Sequence, residues 1–215
     1  MKIKKELIKF IETKIFPIYN TFDKGHDLNH VTAVIERSLE LYKFLNDDSI
    51  DINLVYASAA LHDIGIAVER KNHSLHSRDF VINSKELKKI FIEDEINIIA
   101  QAVEDHSTSR GIEPRSIYGK IVCDADKDDD LEVSLLRAYE YTKKYYPEFN
   151  EEECLENVYK QLSFKFGEQG KVKFWINSDK QEKFKEQMHE LAINKDLYFK
   201  TINEILERKK YYKGK

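Results

Sequence analysis

Apolar side chains recur every three or four residues along nearly the whole chain, and strict alternation is scarce, so the pattern predicts amphipathic helices rather than strands. Ile3, Leu7, Ile8, Ile11 and Ile15 form a first stripe, which Pro17 is expected to stop. Leu28, Val31, Ile35, Leu39 and Tyr42 mark a second helix that ends at the polar "NDDS" of 46–49. A third, over roughly 51–64, is dense in alanine (Ala57, Ala59, Ala60), which allows neighbours to approach closely and makes it central. Gly65 follows as the expected helix-stop residue. Two more helices are predicted over 74–86 and 93–107, then a loop, "STSRGIEPRS", at 107–116. Helices resume near 117–126 and 131–146, and the final third holds "NEEECLENVYKQL" and "SDKQEKFKEQMHELA". The latter opens with Ser178 and Gln181, spaced as a capping box.

Composition sharpens this into an all-α class. Seven glycines and three prolines in 215 residues are too few for a turn-rich β fold. A hydrophobic content of 41% supports a core, and no internal repeat or long linker divides the chain, so a single all-α domain over 1–215 is expected. The net charge of −4 offers no polycation for long nucleic acid or a membrane surface. The basic end, "ERKKYYKGK", is short and reads as a solvated tail. Cys123 and Cys154 form no CxxC, and the N-terminus reads as neither signal peptide nor membrane span, so a cytoplasmic protein is expected.

The chemistry concentrates in the histidines. His26, His30, His62, His73, His76 and His106 fall in the first half, and only His189 lies outside it. His62 and Asp63 stand side by side in "ALHDIG", at the end of the alanine-rich helix. His106 continues the apolar stripe of Ile99 and Val103, and Asp126 lies four residues beyond Val122 on the same face. A carboxylate ending an apolar face must be paired, protonated or bound to a cation. One metal ion would satisfy His30, His62, Asp63 and Asp126 together.

The ordered set of His30, the doublet at 62–63 and Asp126 resembles the HD superfamily of metal-dependent phosphohydrolases. "GHDLNHVTAVIERSLEL" is similar to the family's first helix, "AALHDIG" to its defining segment, and "CDADKDD" to the segment supplying the last aspartate. The resemblance covers about residues 25–130, and "FGEQGKVKFWINSDKQEKFKEQMHELA" is similar to the C-terminal helices of small bacterial members. It implies an HD-domain helical bundle with a metal-site core over about 25–130 and a helical extension over about 150–212. It also implies that His30, His62, Asp63 and Asp126 bind a divalent metal, with Asp63 orienting the metal-bound water. Mixed imidazole and carboxylate ligation favours Mn²⁺, Fe²⁺, Co²⁺ or Ni²⁺ over Zn²⁺ or Mg²⁺. In some relatives further histidines bind a second ion bridged by the doublet's aspartate. "HSLHS" at 73–77 and "EDH" at 104–106 resemble those segments, so His76 and His106 are the candidates here, for a second metal or for phosphate.

Such a centre hydrolyses phosphate esters or anhydrides by activating water and offsetting phosphoryl charge. Cations that could complete a phosphate site are Arg110 and Lys127, with Lys71, Arg70 and Arg115 behind them. Ile66 stands where the cyclic-dinucleotide branch has lysine after HDIG, and no GYP segment follows, which argues against that branch. No attached synthetase or regulatory domain is read, which argues against a long alarmone-type enzyme. The expectation is a small phosphohydrolase, monomeric or homodimeric, acting on a nucleotide or another small phosphorylated metabolite. The alternative is a non-catalytic metal- or nucleotide-binding sensor. A protease reading of "HDLNH" fails because Asp27 stands where glutamate is required, and "DADKDDD" lacks the glycine and closing glutamate of a calcium loop.

Overall fold

A computed structural model describes residues 2–23, 25–107 and 113–213, with side chains through 209. The fold is all-α, and no strand occurs among the described residues. No described helix is long and apolar enough to cross a membrane. The chain forms two compact units, Met1–Lys127 and Asp128–Lys215.

The first unit opens with α1 (Lys5–Phe10), a π-helical turn over Ile11–Ile15 and the short α2 (Phe16–Tyr19). Pro17 does not end the helix as expected. It occupies the first turn of α2, where its missing N–H is not needed, and the hydrogen bonding before it shifts to an i→i+5 step from Phe16 N–H to Ile11 C=O. Then come α3 (Leu28–Leu45), α4 (Ile52–Leu61), α5 (His73–Asn83), α6 (Glu93–Asp105) and α7 (Ile117–Ala125). The alanine-rich α4 is central, every residue in it but Ile52 buried, and it packs against α3, α6 and α7. Burying a helix on all sides demands small residues where neighbours press close, which Ala57, Ala59 and Ala60 provide.

Polar residues fix the starts of these helices. The Asp27 carboxylate accepts from the N–H groups of Asn29 and His30 at 2.9 and 3.1 Å, which sets His30 in the first turn of α3. Helix α3 ends at Asn46 in the left-handed conformation. Ser116 caps α7 through the Gly119 N–H. Gly65 departs from its expected role, because its φ is not left-handed and the chain continues through a 3₁₀ turn over Ile64–Ala67. A Cβ there would meet the His73 carbonyl at 2.1 Å and the Ser77 nitrogen at 2.5 Å, so glycine is required for the close approach of α5.

The second unit holds α8 (Leu131–Tyr145), α9 (Glu151–Phe166), α10 (Asp179–Ile193) and α11 (Lys195–Lys213). Its core gathers Leu135, Val158, Leu162, Phe184, Met188, Tyr198 and Ile202. Asp130 caps α8, and Ser178 with Gln181 forms the expected capping box on α10.

Candidate metal centre

The ends of α4 and α6 and the starts of α3 and α5 converge on one carboxylate. Asp63 leaves α4 with φ −104° and ψ 4°, and its side chain is almost fully buried. Its Oδ2 lies 3.6 Å from His30 Nε2 and 3.3 Å from His62 Nε2. Asp126 Oδ1 closes this group, 3.1 Å from His30 Nε2 and 3.7 Å from His62 Nε2. The other oxygen, Asp63 Oδ1, faces a second group: His73 Nε2 at 3.3 Å and His106 Nε2 at 3.4 Å. Those two nitrogens are 3.1 Å apart.

The ring orientations are fixed from behind. His62 Nδ1 lies 2.8 Å from the Ala59 carbonyl, His106 Nδ1 2.6 Å from the Val103 carbonyl, and His73 Nδ1 2.9 Å from the Arg70 carbonyl. Only an N–H can pair with a carbonyl, so each Nδ1 holds a proton and each Nε2 is turned toward Asp63. The Nε2 atoms of His30 and His62 are buried without a properly aligned hydrogen bond. Buried polar atoms left in that state are costly, and a cation between them and the carboxylates removes the cost. The spacing fits such an ion. Donors bonded at about 2.1 Å stand about 3.0 Å apart at octahedral angles and about 3.4 Å apart at tetrahedral ones.

The electrostatics follow from this packing. Burial alone would lower the His62 pKa, but the charge and hydrogen bonding of Asp63, with Asp126 beyond, raise it to about 9. Burial would raise Asp63, yet His62 and His106 hold it well below the usual carboxylate range. Burial likewise opposes ionisation of Asp126, and His30 and His62 keep it ionised. His73 is lowered, first by burial and then by the neighbouring His106.

The sequence candidates distribute unevenly around this centre. His30, His62, Asp63, Asp126 and His106 meet. His76 stands apart, its Nε2 3.5 Å from Glu69 Oε2, and the place beside His106 belongs to His73. Docking of Gly65 against α5 explains the choice: Ser77 Oγ donates to the His62 carbonyl at 2.6 Å and accepts from the Gly65 N–H at 2.9 Å. Those bonds fix the rotation of α5 and bring His73, at its first position, onto the doublet.

Most of the candidate cations serve the frame. Lys127 Nζ sits 2.9 Å from the buried Asp124 Oδ1 and 3.0 Å from the Cys123 carbonyl. Arg115 grips Asp105 and Glu104 at 2.8 and 2.6 Å, and Arg78 reaches Glu104 at 3.3 Å, joining α5 to the end of α6. Arg70 pairs with Asp23, which also holds His26 at 3.0 Å. Lys71 is exposed ahead of α5, and Arg110 lies outside the described residues.

Residues 27–131 match the model of the HD domain family. The chain carries an HD domain. This family is a superfamily of metal-dependent phosphohydrolases, and its matched segment spans all six converging side chains, from His30 to Asp126. Neither the curated proteins nor the solved structures compared with the chain gave a match.

Proposed function

We propose that the protein is a divalent-metal-dependent hydrolase of phosphoester or phosphoanhydride bonds, acting on a nucleotide or another small phosphorylated metabolite. One observation carries this reading: three imidazoles pinned through Nδ1 to backbone carbonyls, with Nε2 atoms and two carboxylates converging at 3.3–3.7 Å. His30, His62, Asp63 and Asp126 would hold one ion. Asp63 Oδ1, His73 and His106 would hold a second ion, or the two imidazoles would contact substrate phosphate.

A bound ion of this kind lowers the pKa of water and offsets charge on phosphoryl oxygens. The protein's own groups then divide the work. Asp63, with one oxygen toward each group of histidines, orients whatever occupies both halves. Where no second ion is held there, His73, at the more open edge with its side chain 21% exposed, is placed to meet substrate and exchange a proton through Nε2. The donor set of imidazole nitrogen and carboxylate oxygen suits Mn²⁺, Fe²⁺, Co²⁺ or Ni²⁺ better than Zn²⁺ or Mg²⁺.

The test is phosphate release from a panel of nucleoside mono-, di- and triphosphates with each of these ions. Turnover should appear with a transition metal, and Asp63→Ala should lose bound metal and about 10³-fold or more of activity. A protein that binds nucleotide and metal yet releases no phosphate would instead be a sensor.

A further inference from the structure

The family match begins at residue 27, yet a side chain ahead of it bonds to the helix turn that carries the doublet. Tyr19 is fully buried, and its hydroxyl donates to the Ala60 carbonyl at 3.1 Å. Helix α4 stops at Leu61, so carbonyls in its last turn lose their intrahelical partners. The Ala59 carbonyl is taken by the His62 ring and the Ala60 carbonyl by Tyr19. These two bonds occupy the carbonyls of the last helical turn, directly ahead of the doublet.

The N-terminal segment is built to deliver this hydroxyl. It runs along α4, with Lys4 N–H donating to Asn53 Oδ1 at 2.8 Å near one end of that helix and Tyr19 bonding at the other. Leu7, Ile11, Ile15 and Tyr19 are spaced by four and all are at most 1% exposed. In an unbroken α-helix each such step advances about 40° around the axis, which would carry Tyr19 about 120° from Leu7. The π turn over Ile11–Ile15, with more residues per turn, takes part of that rotation back and keeps Tyr19 on the buried stripe.

We propose that Tyr19 is a positioning residue for the His62–Asp63 doublet, which makes the segment ahead of the HD domain part of the metal centre. The inference rests on the doublet being a metal ligand pair. Tyr198 supplies an internal control: it too is fully buried, and its hydroxyl donates to a helix carbonyl, that of Leu155, at 2.9 Å in the second unit. Mn²⁺ affinity, measured by calorimetric titration of the full chain, should fall about 10-fold or more in Tyr19→Phe and stay unchanged in Tyr198→Phe, as is usual when a ligand loses its outer support. Equal Mn²⁺ affinity in wild type and Tyr19→Phe would overturn the inference while leaving the proposed function standing. A wild-type protein that takes up no Mn²⁺ would overturn both. Should Tyr19→Phe fail to fold, wild-type protein labelled with ¹³Cζ-tyrosine decides the matter. Zn²⁺ should shift the Tyr19 resonance and leave that of Tyr198 in place, and a Tyr19 resonance unmoved at saturation would reject the role.

Discussion

The two units bury different chemistry. In Met1–Lys127 the buried polar groups include His62, Asp63, Glu104, His106 and Asp124, all ionisable. In Asp128–Lys215 the described buried polar residues are Thr142, Ser178 and Gln181, none of which carries charge. Thr142 donates to the Ala138 carbonyl and joins the uncharged amides of Asn157 and Gln161 on α9, and Ser178 and Gln181 cap α10. Buried charge is costly unless it is paired, so the first unit spends stability on an arrangement that apolar side chains of similar volume would serve better as mere packing. The second unit obeys the ordinary rule for a core. The contrast locates the chemistry in the first unit from burial and charge alone.

After Asp63→Ala, the largest effect should come from the histidines on the Oδ1 side of Asp63. Replacing His73 or His106 with alanine should cut kcat/KM by about 10²-fold or more. If they hold a second ion, the metal count should drop by about one. If they contact phosphate, metal content should hold and the loss should fall mainly on KM. His76→Ala should leave both nearly unchanged, because its partner is Glu69. A His76→Ala defect as deep as that of His73→Ala would mean that α5 is rotated from the orientation described.

That pair of histidines also shows where the sequence stopped being legible. His30, His62, Asp63 and Asp126 could be read because each sits at a helix end in an ordered motif, and His106 because it extends an apolar stripe. His73 and His76 are three apart on one helix, so periodicity alone does not choose between them. The choice is made by contact across the chain, through Ser77 and the space that Gly65 leaves. Gly65 was the available signal, since a glycine two residues past a doublet marks close backbone approach as well as a helix stop. The cations were misleading for a related reason. Lys127 and Arg115 stand near the site in sequence, but Asp124 three residues before the one and the "ED" at 104–105 before the other were already suitable partners. Tyr19 was invisible because nothing in a helical stripe distinguishes a packing tyrosine from one whose hydroxyl bonds to the last turn of another helix.

A smaller effect follows from pH, and it should separate the units. The folded pKa of His62 in the metal-free protein, about 9, lies above its unfolded value of about 6.5. Its stabilising contribution is therefore fully present below about pH 6.5 and is lost as pH rises through about 9, an effect of up to roughly 3 kcal/mol. Metal should show the opposite trend. The ion must displace the His62 proton, so Mn²⁺ affinity should climb by up to about tenfold per pH unit across the same window. Hydrogen exchange at several pH values can read both trends. Amides of α4 and α6 should lose protection toward pH 9 without metal and gain it with metal, whereas α9 and α10 should follow neither trend. Equal pH dependence in the two sets would erase the proposed contrast.

The smallest effect tests the second unit's side of the comparison. Ser178 accepts the Gln181 N–H at 3.4 Å, and Gln181 Oε1 accepts the Ser178 N–H at 3.1 Å, so Ser178→Ala removes one half of a reciprocal cap. Losing a serine N-cap costs about 1 kcal/mol, which should lower the melting temperature by a few degrees. Because the groups involved are uncharged and hold only the start of α10, metal stoichiometry, Mn²⁺ affinity and turnover at a temperature where the protein is folded should all match wild type. A Ser178→Ala protein that is folded but has lost metal affinity would show that the second unit tunes the centre, and the division drawn from buried charge would then describe composition without describing function.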